Sequence, residues 1–106
     1  MKIVAFAAPV LAASMLMAAD KPGDAGKGKE VFAANCVVCH NADNNVKKTG
    51  PGLKGLYKRD KLNSGAKVTD AAVMKLINEG VETMPAYSDI LSEEERRHVL
   101  AYLKTL

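Results

Sequence analysis

The stretch Cys36-Val37-Val38-Cys39-His40 decides how this chain is interpreted. Its two cysteines lie three positions apart, and a histidine follows the second cysteine directly. On one helical turn both thiols face the same side, where they reach the two vinyl groups of one porphyrin and form thioether bonds. The pattern therefore predicts covalent haem attachment through Cys36 and Cys39, with His40 as the proximal ligand of the iron.

The same cysteine spacing also occurs in zinc sites and in thioredoxin-type redox pairs. A zinc site needs two further Cys or His ligands, and only His98 remains beyond His40. A thioredoxin-type pair needs alternating strands and helices around it, and the sequence predicts none. A structural disulfide does not require the adjoining histidine. Haem attachment is therefore the favoured interpretation.

The N-terminal segment predicts export. The chain has 106 residues, and Lys2 precedes an almost wholly apolar run from 3 to 17. Two alanines then precede Asp20 as a small-residue cleavage point, so we interpret 1–19 as a signal peptide and 20–106 as one domain. The alternative is an uncleaved membrane anchor, for which the run is short. We expect the periplasm as the compartment, with attachment to the periplasmic face of a membrane as the alternative.

A domain of this size buries little apolar surface, so its own core gives it little net stability. A haem adds a large apolar surface to pack around, and it closes the chain through two covalent bonds and up to two iron ligands. We therefore expect the haem-free chain to be largely unfolded.

Charge is unevenly distributed along the chain, whose net charge is +3. Between residues 47 and 67 there are seven Lys or Arg residues and one acid, Asp60, whereas acids predominate beyond residue 67. Such polarity suits docking to a redox partner, donor or acceptor, with an acidic face. The alternative is an ordinary solvated surface. Nucleic-acid binding is not expected, because no helix combines a basic stripe with aromatic residues, and we expect a monomer without stable membrane insertion.

Hydrophobic periodicity predicts an all-α fold of three to five helices. A first helix should run from an Asp24 cap to about Asn35, with Gly28 and Phe32 on one face. A last helix should begin at the capping box that Ser92 starts. Its apolar stripe is expected to pack against the Gly28/Phe32 face: Val99, Tyr102, Leu103 and Leu106.

Between these helices the sequence predicts another helix, capped by Thr69 or Asp70 and ending at Gly80. Leu53, Leu56 and Tyr57 have helical spacing and are expected to form a short helix that covers the haem edge. The segment 81–89 is expected to be an extended loop.

The turn Gly50-Pro51-Gly52-Leu53 offers a partner for His40. A metal-binding histidine usually donates its second ring N–H to an acceptor, which orients the ring. The Pro51 carbonyl is a free acceptor, and we assign it this role; the alternative is that Gly-Pro-Gly is only a turn. Leu53 is expected to bind the haem edge.

Three residues are candidates for the sixth iron ligand: Met74, Met84 and His98. Met74 lies among apolar positions of a helix, which favours packing. His98 lies on a charged helix, four residues after Glu94, and is predicted to be a solvated surface residue. Met84 precedes a proline in a loop, and the extended geometry expected there can project its thioether inward. We therefore predict Met84 as the second metal ligand.

Together these features resemble the class I, or mitochondrial-type, c-type cytochromes, and among them the small bacterial soluble monohaem proteins. The resemblance rests on Gly28 to Phe32, Cys36 to His40, Gly50 to Leu53 and Met84-Pro85-Ala86-Tyr87. It implies the cytochrome c fold, with N- and C-terminal helices crossing and one haem c attached outside the cytoplasm. It also implies a weak far-red absorption band from ferric iron with His and Met ligands.

With His40 and Met84 both on the iron, no open position is left for a substrate. We therefore expect an electron-transfer protein, not an enzyme, that passes one electron between redox partners by outer-sphere transfer through the haem edge. Two alternatives stay open. One is a five-coordinate haem sensor or peroxidase-like enzyme, and the other is an anchored cytochrome subunit of a larger redox complex.

Overall fold

The structure, a computed structural model, describes residues 21–106, and the predicted signal peptide at 1–19 lies outside the described residues. Within 21–106 there are three α-helices: α1 (Ala25–Asn35), α2 (Asp70–Glu79) and α3 (Glu93–Leu103). Two 3₁₀ turns, Leu56–Lys58 and Tyr87–Asp89, lie between them. This part of the chain has isolated β-bridges but no strand, so the prediction of an all-α fold is confirmed.

The three helices begin at side-chain caps that the sequence predicts. Asp24, Thr69 and Ser92 each accept a hydrogen bond from the backbone N–H three residues later, at 3.0, 3.1 and 3.1 Å. Glu95 completes the capping box, because its carboxylate accepts from the Ser92 backbone N–H at 2.9 Å. The bond from the Lys27 backbone N–H to Asp24 lowers the pKa of the Asp24 carboxyl.

Helices α1 and α3 cross in close contact. Gly28 lies so near α3 that a Cβ atom there would overlap the His98 carbonyl oxygen. The Phe32 and Tyr102 rings pack with centroids 5.4 Å apart and planes inclined by 60°. Val99 is buried beneath them. The predicted crossing of the terminal helices is therefore confirmed, and the absence of a side chain at Gly28 permits it.

His98 corrects one prediction. Instead of being a solvated surface residue, it is half-buried, and its Nδ1 accepts a hydrogen bond from the Asp24 backbone N–H at 2.8 Å. The prediction was wrong because it considered only the neighbours of His98 on its own helix. The crossing places the start of α1 over this part of α3.

The connections between helices differ from the predictions in two places. The expected short helix is only the 3₁₀ turn Leu56–Lys58, which follows Gly55 in the left-handed region at φ +67°. The expected extended loop at 81–89 is instead a tight turn from Val81 to Met84, followed by a 3₁₀ turn. No helix within the described part of the chain is both long and apolar enough to cross a membrane.

Candidate functional site

The two cysteines lie directly after α1 in a single tight turn. The Cys39 and His40 backbone N–H groups both donate to the Cys36 carbonyl, at 3.1 and 2.9 Å. Both thiols are half-buried and neither is in a disulfide. Burial, with a smaller contribution from Cys39, raises the pKa of the Cys36 thiol to about 11. The turn therefore presents two thiols and one imidazole within five residues.

The His40 ring is oriented by the turn that contains Pro51. Its Nδ1 lies 2.8 Å from the Pro51 carbonyl oxygen, which leaves Nε2 available for another bond. Gly50 lies against the ring, where an added Cβ would be 2.5 Å from its Cε1 atom. Backbone bonds from Gly50 to the Cys39 carbonyl and from Leu53 to the Asn41 carbonyl, both 2.8 Å, hold this turn beside the cysteines.

Two cavities of about 260 Å³ each meet at this point, and His40, Pro51 and Met84 line both. Cys36 and Cys39 line one cavity. The other has mainly apolar walls from the core and the loops: Leu53, Leu56, Leu62, Val73, Leu76, Ile77, Val81 and Leu103. Leu53, which was predicted to bind the haem edge, is thus a buried wall residue.

Met84 is held in a compact turn. Val81 and Met84 exchange both backbone hydrogen bonds, at 3.1 and 2.9 Å, and Glu82 between them has φ +53°. Gly80 precedes the turn with φ +70°, and a Cβ atom there would overlap the Met84 carbonyl oxygen. The turn therefore depends on a glycine at 80 and retains backbone strain at Glu82.

The other two candidates for an iron ligand are elsewhere. Met74 packs against the core cluster and lines neither cavity. His98 also lines neither, since it contacts the start of α1. Of the three candidates, the structure therefore brings only Met84 to the walls that His40 also lines.

Arg59 is a lining residue that the sequence reasoning did not single out. One guanidinium nitrogen, Nη2, donates to the Asn45 side chain at 2.7 Å and to the Gly52 and Lys54 carbonyls at 2.9 Å each. These bonds hold a cation beside the apolar cavity, where Asn63 is another polar wall residue. In the sequence, Arg59 is one member of a basic run, and nothing there distinguishes it from the exposed lysines.

These residues fit a haem. A flat, apolar macrocycle with two vinyl groups and two carboxylates needs apolar walls, two thiols and a cation. The two adjoining cavities together supply all three, with the thiols on one and the Arg59 cation on the other, and the nitrogen and sulfur donors of His40 and Met84 line both. The fixed Pro51 bond also selects the tautomer in which the cavity-side nitrogen of His40 is free to bind iron.

Comparison with known proteins agrees with this fit. The family described as cytochrome c oxidase, cbb3-type, subunit III matches residues 23–103. Cytochrome c6 of Picosynechococcus sp. is 33% identical over 104 residues, which cover 95% of this chain and 80% of that protein. Thiosulfate dehydrogenase of Stutzerimonas stutzeri is 35% identical over 89 residues, covering 77% of this chain and 27% of that protein.

A solved structure shows the same fold. Cytochrome c6 from the diatom Phaeodactylum tricornutum superimposes with a TM-score of 0.63 at 30% identity, covering 78% of this chain and 93% of that one. The chain belongs to the matched family of cytochrome domains, within the class I c-type cytochromes. It is a small monohaem electron-transfer cytochrome with one covalently bound haem c, and Cys36 and Cys39 are its two cysteines.

Proposed function

We propose that this chain is a one-electron carrier and not an enzyme, with His40 and Met84 as the two axial ligands of a haem attached through Cys36 and Cys39. The observation that carries this proposal is the shared lining of the two cavities by one imidazole and one thioether. When bound, the haem supplies an iron that alternates between the ferric and ferrous states and so accepts or releases one electron.

His40 acts as an oriented donor. The ring donates its Nδ1–H to the Pro51 carbonyl, which holds the ring plane and makes Nε2 a better ligand. Contact with Gly50 prevents the ring from rotating toward that side. Little rearrangement of this side is then needed when the charge of the site changes, and this favours fast electron transfer.

Met84 and the apolar walls together set the direction of the redox equilibrium. A thioether ligand favours reduced iron and raises the potential. Buried side chains such as Val73 and Ile77 exclude water and so disfavour the additional positive charge of the oxidised site. Arg59, anchored by its three acceptors, would balance the haem carboxylates on the cavity wall.

The docking surface that we propose surrounds Val37, Val38 and Val46, which are 46%, 75% and 64% exposed. Lys48 belongs to the same surface, because its Nζ donates to the Val37 carbonyl at 2.9 Å. An exposed apolar centre with a lysine beside it suits a partner whose face has an apolar centre and an acidic rim. The partners we propose are a redox donor and a redox acceptor of this kind.

Ionic strength tests the docking surface. Electron transfer to an acidic redox partner should slow as salt rises, because screening weakens the attraction. Lys48→Glu should slow it further at low salt, while Lys75→Glu, an exposed lysine on α2, serves as the matched control. Rates that are indifferent to salt, or equally slowed by both variants, would remove this surface from the proposal.

The axial ligands are tested by absorption spectroscopy of the oxidised protein. Met84→Ala should abolish the weak far-red band and let the reduced protein bind carbon monoxide rapidly, whereas Met74→Ala should keep the band. A native protein that itself binds carbon monoxide rapidly would instead favour a sensor or a peroxidase-like enzyme. Retention of the band in Met84→Ala would exclude Met84 as the ligand.

A second candidate function is favoured by the family description, which names an oxidase subunit. In that case the chain would be an anchored cytochrome module of a larger complex. We propose the exported carrier instead, released in the periplasm as a monomer after removal of 1–19. Mass spectrometry of the exported protein separates the two, since a chain that still begins at Met1 and co-purifies with a membrane oxidase would support the module.

A further inference from the structure

The Met84 turn is not stable through its own bonds alone. Its internal backbone bonds are the reciprocal pair between Val81 and Met84. Glu82 opposes them, since its left-handed φ of +53° is unfavourable for a residue with a side chain. Contacts outside the turn must therefore help to keep Met84 facing the cavity.

Tyr87 provides one such contact. Its hydroxyl donates to the backbone carbonyl of Asn35 at 3.1 Å, across 52 positions of sequence. Asn35 is the last residue of α1 and directly precedes Cys36. Carbonyls in the last turn of a helix lack an intrahelical donor, so this oxygen is a free acceptor. The half-buried ring of Tyr87 also lines the cavity that Cys36 and Met84 line.

The 3₁₀ turn that contains Tyr87 is itself anchored to α2 and α3. Arg96 Nη1 donates to the Leu91 carbonyl at 3.0 Å and to the Tyr87 carbonyl at 3.5 Å. The Ser88 hydroxyl donates to the Asn78 carbonyl at 2.8 Å. Tyr87 therefore extends from a turn that is fixed on α2 and α3 toward the C-terminal end of α1.

We propose that Tyr87 is a positioning residue that keeps Met84 on the iron, because its hydroxyl closes the Met84 turn against the segment that attaches the haem. This inference rests on the proposed ligation by Met84. The hydroxyl joins the strained side of the site to the covalently attached side. Loss of that bond should increase the fraction of molecules in which Met84 has left the iron.

Imidazole binding to the oxidised protein measures that fraction, since imidazole competes with Met84 for the same position. Tyr87→Phe keeps the ring and removes only the hydroxyl. We expect it to raise the apparent imidazole affinity about 5-fold, the size expected from loss of one hydrogen bond. Tyr102→Phe is the matched control, because the Tyr102 ring packs on Phe32 at the helix crossing, away from Met84. The affinity of this variant for imidazole should stay within about 2-fold of the native value.

A double-mutant cycle separates positioning from direct effects. In a Met84→Ala background no thioether competes, so adding Tyr87→Phe should change the imidazole affinity by less than about 2-fold. An equal rise in both backgrounds would overturn the proposal, because the hydroxyl would then act on imidazole directly. A lower denaturation midpoint for Tyr87→Phe with unchanged imidazole affinity would also overturn it, since the hydroxyl would then serve only global stability.

Failure of the axial-ligand proposal has a different result. If Met84→Ala kept the far-red band and the native affinity for imidazole, Met84 would not be the ligand. If Met84→Ala lost the band while Tyr87→Phe matched the native protein in imidazole affinity, only the role of Tyr87 would be rejected.

Discussion

The His40 side and the Met84 side of the site are held in different ways. His40 is positioned by bonds within 36–53, including the helical turn from Cys36 and the contact with Pro51. Met84 sits in a strained turn, and the residues that follow the turn bond to all three helices; Tyr87, for example, donates to a carbonyl 52 positions away, at the end of α1. The His40 side is therefore held by bonds between residues close in sequence, whereas the Met84 side is held only once the three helices have packed together.

This difference indicates which side opens first. A segment with few internal bonds and a residue at unfavourable φ has a low free energy of local opening. The His40 side adds two thioethers to its backbone bonds, and so it opens only with the whole domain. We therefore expect ligand exchange at the iron to occur on the Met84 side.

Removing the haem should have the largest effect, because both sides depend on it. The described core is small and surrounds a cavity with apolar walls. A Cys36→Ser/Cys39→Ser chain, which cannot form the thioethers, should therefore lack native near-ultraviolet circular dichroism. Native-like dichroism without haem would show that the helix crossing alone holds the fold, and that the two sides are less dependent on haem than we infer.

On the His40 side, Gly50→Ala should lower the free energy of unfolding strongly. The new Cβ would lie 2.5 Å from the ring, which cannot shift without breaking its bond to Pro51. We expect the free energy of unfolding to fall by about 3 kcal/mol, the upper end for overpacking. Denaturant titration measures this change. Gly26→Ala is the control: it lies on the exposed side of α1, where a Cβ would meet only the Asp24 carboxylate, at 3.2 Å. It should cost much less than Gly50→Ala, and an equal loss there would contradict the explanation.

On the Met84 side, Gly80→Ala should act locally. The substitution places a side chain at φ +70° and against the Met84 carbonyl, so it favours the open turn. We expect a loss of about 1–2 kcal/mol in global stability, a weaker far-red band and tighter imidazole binding. If Gly80→Ala lowered stability as much as Gly50→Ala and left imidazole affinity unchanged, the two sides would not differ in the way described here.

The ion pair of Asp70 and Lys104 lies away from both the His40 side and the Met84 side of the site, and its loss should have the smallest effect on the free energy of unfolding. Lys104 Nζ lies 2.9 Å from Asp70 Oδ2, and both side chains are about half exposed. The hydrogen bond from Lys104 lowers the pKa of the Asp70 carboxyl below its ordinary value of 3.8. The folded state therefore binds fewer protons, so the stabilisation is present above that value and is lost as pH falls through the lowered pKa.

Asp70→Asn tests this pH dependence. It should cost less than about 1 kcal/mol of unfolding free energy at neutral pH, because solvent screens exposed pairs. The difference from the native protein should shrink as pH falls through the lowered pKa of Asp70, because the native carboxyl then becomes protonated. At neutral pH, Asp70→Asn should leave imidazole binding unchanged, and a change there would mean that the ends of α2 and α3 influence the Met84 side.

Local features were predictable from sequence, and long-range ones were not. The caps at Asp24, Thr69 and Ser92 involve partners within three residues, and the sequence shows both partners. The crossing at Gly28 was also predictable, since a helical glycine beside Phe32 indicates close packing. In contrast, the bond of His98 to the start of α1 depends on how two helices cross, and no pattern on α3 alone reveals it.

The sequence by itself determined the haem attachment turn and its histidine, because thiols and imidazole within five residues share one helical turn whatever surrounds them. It also indicated Met84 by its position before a proline. Only the tertiary structure decided that the Met84 turn is compact and strained, that Arg59 lies beside the cavity, and that Tyr87 reaches the end of α1. The physical reason is range: bonds between neighbours follow from the order of residues, whereas bonds between distant segments follow from how the helices pack.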